Sequence, residues 1–358
     1  MGERIAVIGG DGVGPEVVEA AIDVLDAALD ATGRRERLEF DRLPWGSAHY
    51  VEHGRMMPPD ALEQLAGFEA IVLGAIGSPD VPDHVTVWGL ILPIRQSFQQ
   101  YVNLRPTKLL PGLVSPLRDV TPDDIDIVCV RENSEGEYSG VGGRMQSGLD
   151  NEIAVQSAVF TRQGIERICE YAFDLAERRP RRLVASATKS NSWAHAMTLW
   201  DEVCASVAER HPNVTLVKYH VDALVTRFVV APESIDVVVC SNLFGDILSD
   251  LGAGLLGSLG VAGSANIDPT RTYPSMFEPV HGSAPDIAGT GTANPYGAIS
   301  SGAMMLEHLG LSEEAAIVTQ GLEWASLQPA TRTPDVQGVG TTRSVSAAIA
   351  AHVRSLSG

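Results

Sequence analysis

Apolar positions along the chain follow two alternating rhythms. Short runs rich in Val, Ile and Ala predict β-strands: "RIAVIG" (4–9), "LEFDRL" (38–43), "EAIVLGAI" (69–76), "DIDIVCVRE" (124–132), "RLVASAT" (182–188), "TLVKYHV" (215–221) and "IDVVVCSN" (235–242). Other stretches repeat apolar residues at helical spacing: "PEVVEAAIDVLDAAL" (15–29), with Pro15 in its first turn, "TRQGIERICEYAFDLAERR" (161–179) and "AHAMTLWDEVCASVAERH" (194–211). Strands alternating with amphipathic helices predict an α/β fold with a largely parallel sheet. At 358 residues the chain fits one large domain or two medium ones. No linker, repeat or low-complexity stretch marks a boundary. The most loop-like segment is "TKLLPGLVSPLRDVTPDD" (107–124). The pattern leaves open two domains in series and two domains that share crossovers.

Charge narrows the function classes. A formal net charge of −19 argues against nucleic acid and anionic membranes as partners. An anionic substrate must therefore meet a local group of arginines or a metal. The four cysteines (Cys129, Cys169, Cys204, Cys240) lie far apart without metal-ligand spacing, which predicts buried reduced thiols. The opening "MGERIAVIGG" enters a strand at once and lacks a signal-peptide layout, and no apolar run reaches membrane-spanning length. A cytoplasmic protein is expected.

"VIGGDGVGPEV" (7–17) follows a strand and opens a helix, as a dinucleotide-binding loop does, and Asp41 ends the next strand. The glycine spacing fails, however. Counting from Gly10 and Gly12, the third glycine should fall at 15, which is Pro15, while Gly14 comes one residue early. This reads as a tight strand-to-helix turn rather than a pyrophosphate site.

"VCSNLFGDILSDLGAG" (239–254) places Asp246 and Asp250 among apolar, glycine and small polar residues. With Asn242 as N-cap of a helix starting near Phe244, the two carboxylates stand at i and i+4 on one face. They could complement the helix dipole or be solvated, but apolar, glycine-rich surroundings favour a buried pair and hence a cation between them. An all-carboxylate site suits Mg²⁺ or Mn²⁺. Asp222, after the strand at 215–221, is the best third ligand, unless it is only a helix cap. Arg95, Arg105 and Arg131 are candidates for gripping a dicarboxylate through bidentate forks. Tyr138, in a turn-rich loop after Arg131, and Lys189, after "RLVASAT", are candidate acid and base.

These stretches together resemble one family, the metal-dependent decarboxylating β-hydroxyacid dehydrogenases, which include isocitrate, isopropylmalate and tartrate/D-malate dehydrogenases. "SNLFGDILSDLGAGLLGSLG" resembles the family signature and "EPVHGSAPDIAGTGTANP" (278–295) its cofactor loop. "GDGVGPE", "NLRP" and "RENSEGEYSG" match in order, so the resemblance spans essentially the whole chain. It implies two α/β domains with a mixed, largely parallel sheet and a central cleft. Residues 1–101 and 255–358 would form a large cofactor-binding domain. Residues 102–254 would form a small domain with the dimer interface and metal site. It further implies a homodimer with shared active sites, acting on a small-molecule dicarboxylate. Asp246 and Asp250 would bind Mn²⁺ or Mg²⁺, with Asp222 from the other subunit. Arg95, Arg105 and Arg131 would hold substrate carboxylates. Lys189, also supplied across the dimer, Tyr138 and Asp222 would form the acid–base machinery. Glu278, His281, Gly282, Ser283, Ala284, Asp286 and Asn294 match the cofactor loop. Asp286 stands where NAD-using members carry an acid, which would repel a 2′-phosphate, so NAD is expected. K⁺ is a further candidate cofactor.

The segment before Arg95 faces the substrate's C3 substituent in this family. Gly89 and Ile91 stand where isocitrate enzymes carry polar residues, so nothing is left to grip a third carboxylate. Trp88 replaces an acid typical of isopropylmalate enzymes, and with Ile91 and Leu92 it implies a pocket for a small C3 group. Trp88 could equally be a core aromatic. The tartrate/D-malate branch fits best: oxidative decarboxylation of a small (R)-2-hydroxy dicarboxylic acid. 3-Isopropylmalate oxidation is the alternative, and a non-catalytic nucleotide-binding regulatory paralogue is the alternative of another class.

Overall fold

The protein is described by a computed structural model covering residues 2–356; Met1, Ser357 and Gly358, the outer ends of the expected large-domain segments, lie outside the described residues. The chain divides into two compact units. Unit 1 comprises residues up to 100, 105–125 and from 253 onward, and unit 2 comprises 101–104 and 126–252. The expected boundary at 102 assigned 105–125 to the small domain, whereas this segment groups with unit 1. Its loop is anchored there: Leu109 N donates to Ile125 O at 3.0 Å and Arg332 Nη1 to Gly112 O at 2.6 Å.

Unit 1 opens with β1 (Glu3–Gly10), α1 (Gly14–Ala31), β2 (Leu38–Arg42), α2 (Ser47–His53), α3 (Ala61–Leu65) and β3 (Ala70–Ala75). The helical stretch that follows is α4 (Asp83–Thr86), a π-helical turn at Val87–Ile91, and α5 (Leu92–Ser97). The π turn went unseen in the sequence because one extra residue per turn leaves the apolar spacing nearly helical. β4 (Val102–Lys108) carries the chain between the units.

Unit 2 holds β5 (Asp126–Glu132), the ribbon β6 (Gly136–Met145) and β7 (Ile153–Val159), α6 (Arg162–Glu177), β8 (Leu183–Thr188), α7 (Ala196–Ala208), β9 (Thr215–His220), α8 (Val221–Val230) and β10 (Val237–Cys240). The strand order β5-β10-β8-β9 is parallel throughout, and β6 and β7 pair antiparallel as a separate sheet. β10 reads VVVC and is fully buried, as the central strand of a doubly covered parallel sheet requires. α9 (Asn242–Leu255) leads the chain back to unit 1.

The returning segment adds β11 (Gly263–Ile267), β12 (Ser275–Pro279), α10 (Tyr296–His308), α11 (Ser312–Ser326) and α12 (Thr342–Ser355). The order β2-β1-β3-β12-β11 is parallel except for the antiparallel β11–β12 pair. The sheet is thus mixed and largely parallel, as expected. α1 packs its Val17, Leu25 and Leu29 side into the core, with α10 and α12 beside it. β11 and β12 carry buried polar residues that hide them from a hydrophobicity reading. Ser264 Oγ donates to Glu278 O at 2.8 Å, and Asn266 Nδ2 to the Glu278 carboxylate at 2.7 Å. The four cysteines are buried, as expected, and the thiols of Cys169 and Cys204 meet between α6 and α7. Among the described residues no helix is long and apolar enough to cross a membrane.

Candidate active site

Unit 2 assembles one constellation around Asp246. Arg131, at the end of β5 and 3% exposed, donates through Nη1 to Asp246 Oδ1. Its Nε and Nη2 reach Asn242 Oδ1 at 3.0 and 2.8 Å. Tyr138 OH donates to Asp246 Oδ2 at 3.2 Å, and the Arg131 guanidinium lies 5.6 Å from the Tyr138 ring centre. A Cβ at Gly245 would meet Arg131 Cγ at 2.5 Å, so the glycine in "LFGD" lets the arginine stem pass the helix. Tyr138 was expected in a loop; it sits on β6, because the segment pairs with β7 instead of turning freely.

The start of α9 also differs from expectation. The helix begins at Asn242, whose side chain is taken by Arg131 and by Glu135 O, which accepts from Asn242 Nδ2 at 3.2 Å. Glu137 caps the helix in its place, accepting from Leu243 N at 3.1 Å and Ser241 Oγ at 3.0 Å. A carboxylate there complements the positive helix end. Sequence reading missed Glu137, which lies more than a hundred residues from the helix it serves.

A second pair in unit 2 joins Lys189, just after β8, to Asp222 in the first turn of α8, with Nζ 2.7 Å from Oδ1. The Lys189 ammonium holds the exposed Asp222 carboxyl below the usual carboxylate range. Asp222 is thus an ion-pair partner, not a side-chain helix cap.

The two carboxylates are not the buried pair expected: Asp246 is half-buried and Asp250, one turn on along α9, is exposed, because their face of the helix is not covered within the chain. The carboxylates of Asp246, Asp250 and Asp222 are hard oxygen donors, the kind that Mg²⁺ or Mn²⁺ takes. A different group gathers elsewhere on unit 2: donor atoms of Asp174, Glu177 and His211 lie within 4.8 Å of one another. There His211 Nε2 meets Glu170 at 2.8 Å and Nδ1 meets Glu177 at 3.0 Å. Burial alone would lower the His211 pKa, but these two carboxylates raise it. With both ring nitrogens engaged, the group works as a charge clamp between α6 and the turn after α7.

In unit 1, Arg95 on α5 is buried and donates through Nη2 to Glu278 Oε1 at 2.6 Å, while its buried Nε lacks a hydrogen-bond partner. Burial works to raise the Glu278 pKa, yet Arg95, Asn266 and Arg105 keep it below the usual range. Glu278 thus anchors a polar network under Arg95. Arg105 on β4 is also buried. The orphaned Nε of Arg95 fits an anionic ligand, because a buried unpaired donor is costly. Trp88 is 43% exposed on the π turn, which removes its reading as a core anchor. Ile91 is partly buried against the cluster of Trp45, Met56, Leu90 and Ile94, and Leu92 is buried. A Cβ at Gly89 would meet Met56 Cγ at 2.7 Å, so this position needs glycine for packing.

The segment after β12 also lies in unit 1. Val13 N donates to Ser283 O at 2.8 Å, docking the segment on the β1–α1 turn. Ala284 is held at φ +40°, a conformation that L-residues rarely adopt. His281 Nδ1 contacts Gly282 O at 2.9 Å, its buried Nε2 has no hydrogen-bond partner, and burial lowers its pKa. With Nδ1–H given to the Gly282 carbonyl, the neutral imidazole presents Nε2 as an acceptor, which fits a ribose hydroxyl of a dinucleotide. Gly282 and Asp286 are exposed. Asn294 is committed within the fold: Nδ2 donates to Asp335 at 3.0 Å and Oδ1 accepts from Tyr296 N at 3.0 Å.

Comparison with known proteins agrees with this arrangement. Residues 4–350 match the family profile of isocitrate/isopropylmalate dehydrogenase. A probable tartrate dehydrogenase/decarboxylase of Agrobacterium vitis is 51% identical over 346 residues, covering 97% of this chain and 94% of the relative. The D-malate dehydrogenase (decarboxylating) of Escherichia coli (strain K12) is 50% identical over 352 residues, covering 97% of each chain. The crystal structure of isocitrate dehydrogenase from Methylococcus capsulatus superposes with a TM-score of 0.88 at 34% identity, covering 98% of this chain and 99% of that one. The likeness runs through both units and through the segments that carry the constellation, and on that ground the chain belongs to the isocitrate/isopropylmalate dehydrogenase family of oxidoreductases.

Proposed function

We propose that the enzyme catalyses the NAD-linked, metal-dependent oxidative decarboxylation of a small (R)-2-hydroxy dicarboxylic acid: D-malate to pyruvate and CO₂, with tartrate oxidised or decarboxylated in the same site. The observation that carries this reading is the Arg131–Tyr138–Asp246 constellation. It joins a buried guanidinium, a phenol and a carboxylate within hydrogen-bond reach. The names of relatives 50–51% identical over nearly the full chain, tartrate dehydrogenase/decarboxylase and D-malate dehydrogenase, supply the substrate class.

In this reading Asp246 and Asp250, with Asp222 of a second subunit, hold the divalent cation. Arg95, Arg105 and Arg131 hold the substrate carboxylates. Lys189 takes the C2 hydroxyl proton, with Asp222 able to relay it. When bound, the cation would supply stabilisation of negative charge on the C2 oxygen, and NAD⁺ would be the hydride acceptor. After the β-carboxylate leaves as CO₂, Tyr138 donates a proton to C3. All the residues this needs are present, which disfavours a non-catalytic paralogue. Unit 1 would carry the cofactor and unit 2 the metal and the dimer contact. Exposed Val141, Met145, Ile153 and Val155 line a two-stranded ribbon too slight to be stable alone, which supports a homodimer with shared active sites. Four reduced cysteines accord with a cytoplasmic location.

The exposed Asp286 carboxylate supports NAD over NADP, and wild-type kcat/KM should be higher with NAD. Asp286→Lys should lower kcat/KM with NAD and raise it with NADP, for a combined shift of about tenfold or more in their ratio. A wild-type preference for NADP would refute this assignment.

Trp88, Gly89 and Ile91 support a short C3 substituent. In a kcat/KM panel, D-malate should outperform 3-isopropylmalate and isocitrate. Trp88→Ala should move the ratio toward 3-isopropylmalate by about ten- to a hundredfold, the worth of one buried apolar group. Isocitrate should stay poor, because no polar group is added for its third carboxylate. If 3-isopropylmalate already beats D-malate in the wild type, the isopropylmalate reading takes over.

A further inference from the structure

The motif "GDGVGPE" was set aside as a phosphate loop, yet its aspartate is the centre of a buried knot in unit 1. Asp11 is 9% exposed and stands just past β1. Its Oδ1 accepts from Ser47 N at 2.8 Å, and its Oδ2 accepts from Ser47 Oγ at 2.6 Å and from Gly77 N at 2.9 Å. Its own N–H donates to Ala75 O at 2.7 Å. One carboxylate thus ties together the β1–α1 turn, the start of α2 and the segment after β3. The next two residues dock the His281–Asn294 segment through Val13 N and Ser283 O. The approach there is so close that a Cβ on Gly12, which has φ +57°, would meet Ser283 O at 2.0 Å. A Cβ on Gly77 would meet Ser283 Oγ at 3.3 Å, so the segment leans on two of the three elements that Asp11 joins. A hollow of about 370 Å³, lined by Asp11, Gly12, Ser47, Gly77 and Pro285, opens beside the knot.

We propose that Asp11 is a positioning residue for the dinucleotide: its three hydrogen bonds fix the surface against which Ser283 and the strained Ala284 are held, so that the 281–286 backbone is set before the cofactor arrives. This rests on the reading of that segment as the NAD loop. The physical reason is preorganisation. A carboxylate accepting three short bonds holds three loops at once. Loosening it lets the loop sample other conformations, and the apparent affinity falls by the fraction of time the competent one is lost. Asparagine keeps one oxygen acceptor but turns an amide donor toward the Gly77 N–H or the Ser47 N–H, so at least one of the three bonds fails.

The test measures NADH binding by its fluorescence enhancement on the full-length enzyme with Mn²⁺, together with steady-state kinetics. Asp11→Asn should weaken NADH binding and raise KM for NAD⁺ by about tenfold, while kcat at saturating NAD⁺ falls by less than about threefold. A lesion of the chemistry would lower kcat instead. Ser47→Ala, which removes only the hydroxyl bond, should give about a threefold loss of NADH affinity with the same split. Gly12→Ala, which pushes Ser283 away, should do so more strongly. If Asp11→Asn does not fold, the Ser47 and Gly12 variants decide. Wild-type-like NADH affinity, within twofold, in folded Asp11→Asn or in both other variants overturns the proposal while leaving the cofactor reading intact. A wild type that binds neither NADH nor NAD⁺ overturns the cofactor reading and this proposal with it.

Discussion

Asp246→Asn is expected to lower kcat by about a thousandfold while the protein stays folded. The substitution keeps the shape of the side chain but removes its charge. In the wild type one carboxylate oxygen takes the Arg131 guanidinium and the other takes the Tyr138 hydroxyl. The amide would turn a donor toward one of these donors and leave a buried guanidinium without its counter-charge, and a cation would lose a hard anionic ligand. Loss of one group that stabilises developing charge costs about a hundred- to a thousandfold, and loss of the cation would compound this. The companion measurement is on the wild type. EDTA should abolish turnover, and Mn²⁺ or Mg²⁺ should restore it. Circular dichroism of Asp246→Asn separates a chemical lesion from an unfolded one. Full activity in a rigorously metal-free preparation would defeat the metal assignment, and near-normal kcat in the variant would remove Asp246 from the site.

Lys189→Met should also cost about a hundred- to ten-thousandfold in kcat with D-malate, the range expected for a positioned general base. KM for NAD⁺ should change little, because the Lys189–Asp222 pair belongs to unit 2 and the cofactor segment to unit 1. The Asp222 carboxyl, held low chiefly by the Lys189 hydrogen bond, should return toward its ordinary range in the variant. A small primary amine added to the assay should recover part of the rate if proton transfer is what was lost. A variant within tenfold of wild type would show that another group takes the proton.

Much of the local structure is legible in the chain. The seven apolar runs read as strands each overlap one, and the three helical patterns became α1, α6 and α7 within a few residues. The reason is that period-2 and period-3.6 burial are written directly into neighbouring side chains. Strands whose buried residues are polar carry no such signal. β11, "GSANI", is buried throughout and is stable because Ser264 and Asn266 find partners on β12. β6 and β7 escaped notice for the opposite reason, since most of their residues are exposed and β6 is rich in glycine and polar residues.

The sequence by itself determined the α/β alternation, the acidic surface, the family, and the placing of Asp246 and Asp250 one helical turn apart. Each of these depends on composition or on residues within a few positions of each other. Only the tertiary structure decided which groups the charged residues face. Arg95 meets Glu278 across 183 positions, Arg131 meets Asp246 across 115, and Asp11 meets Gly77 across 66. It also decided that Glu137 caps α9, that Trp88 rides a π turn toward solvent, and that Asn294 is held by Asp335. The physical reason is that a buried polar group must find a partner wherever the fold brings one, and that choice is made by packing across the whole unit, where local periodicity carries no information.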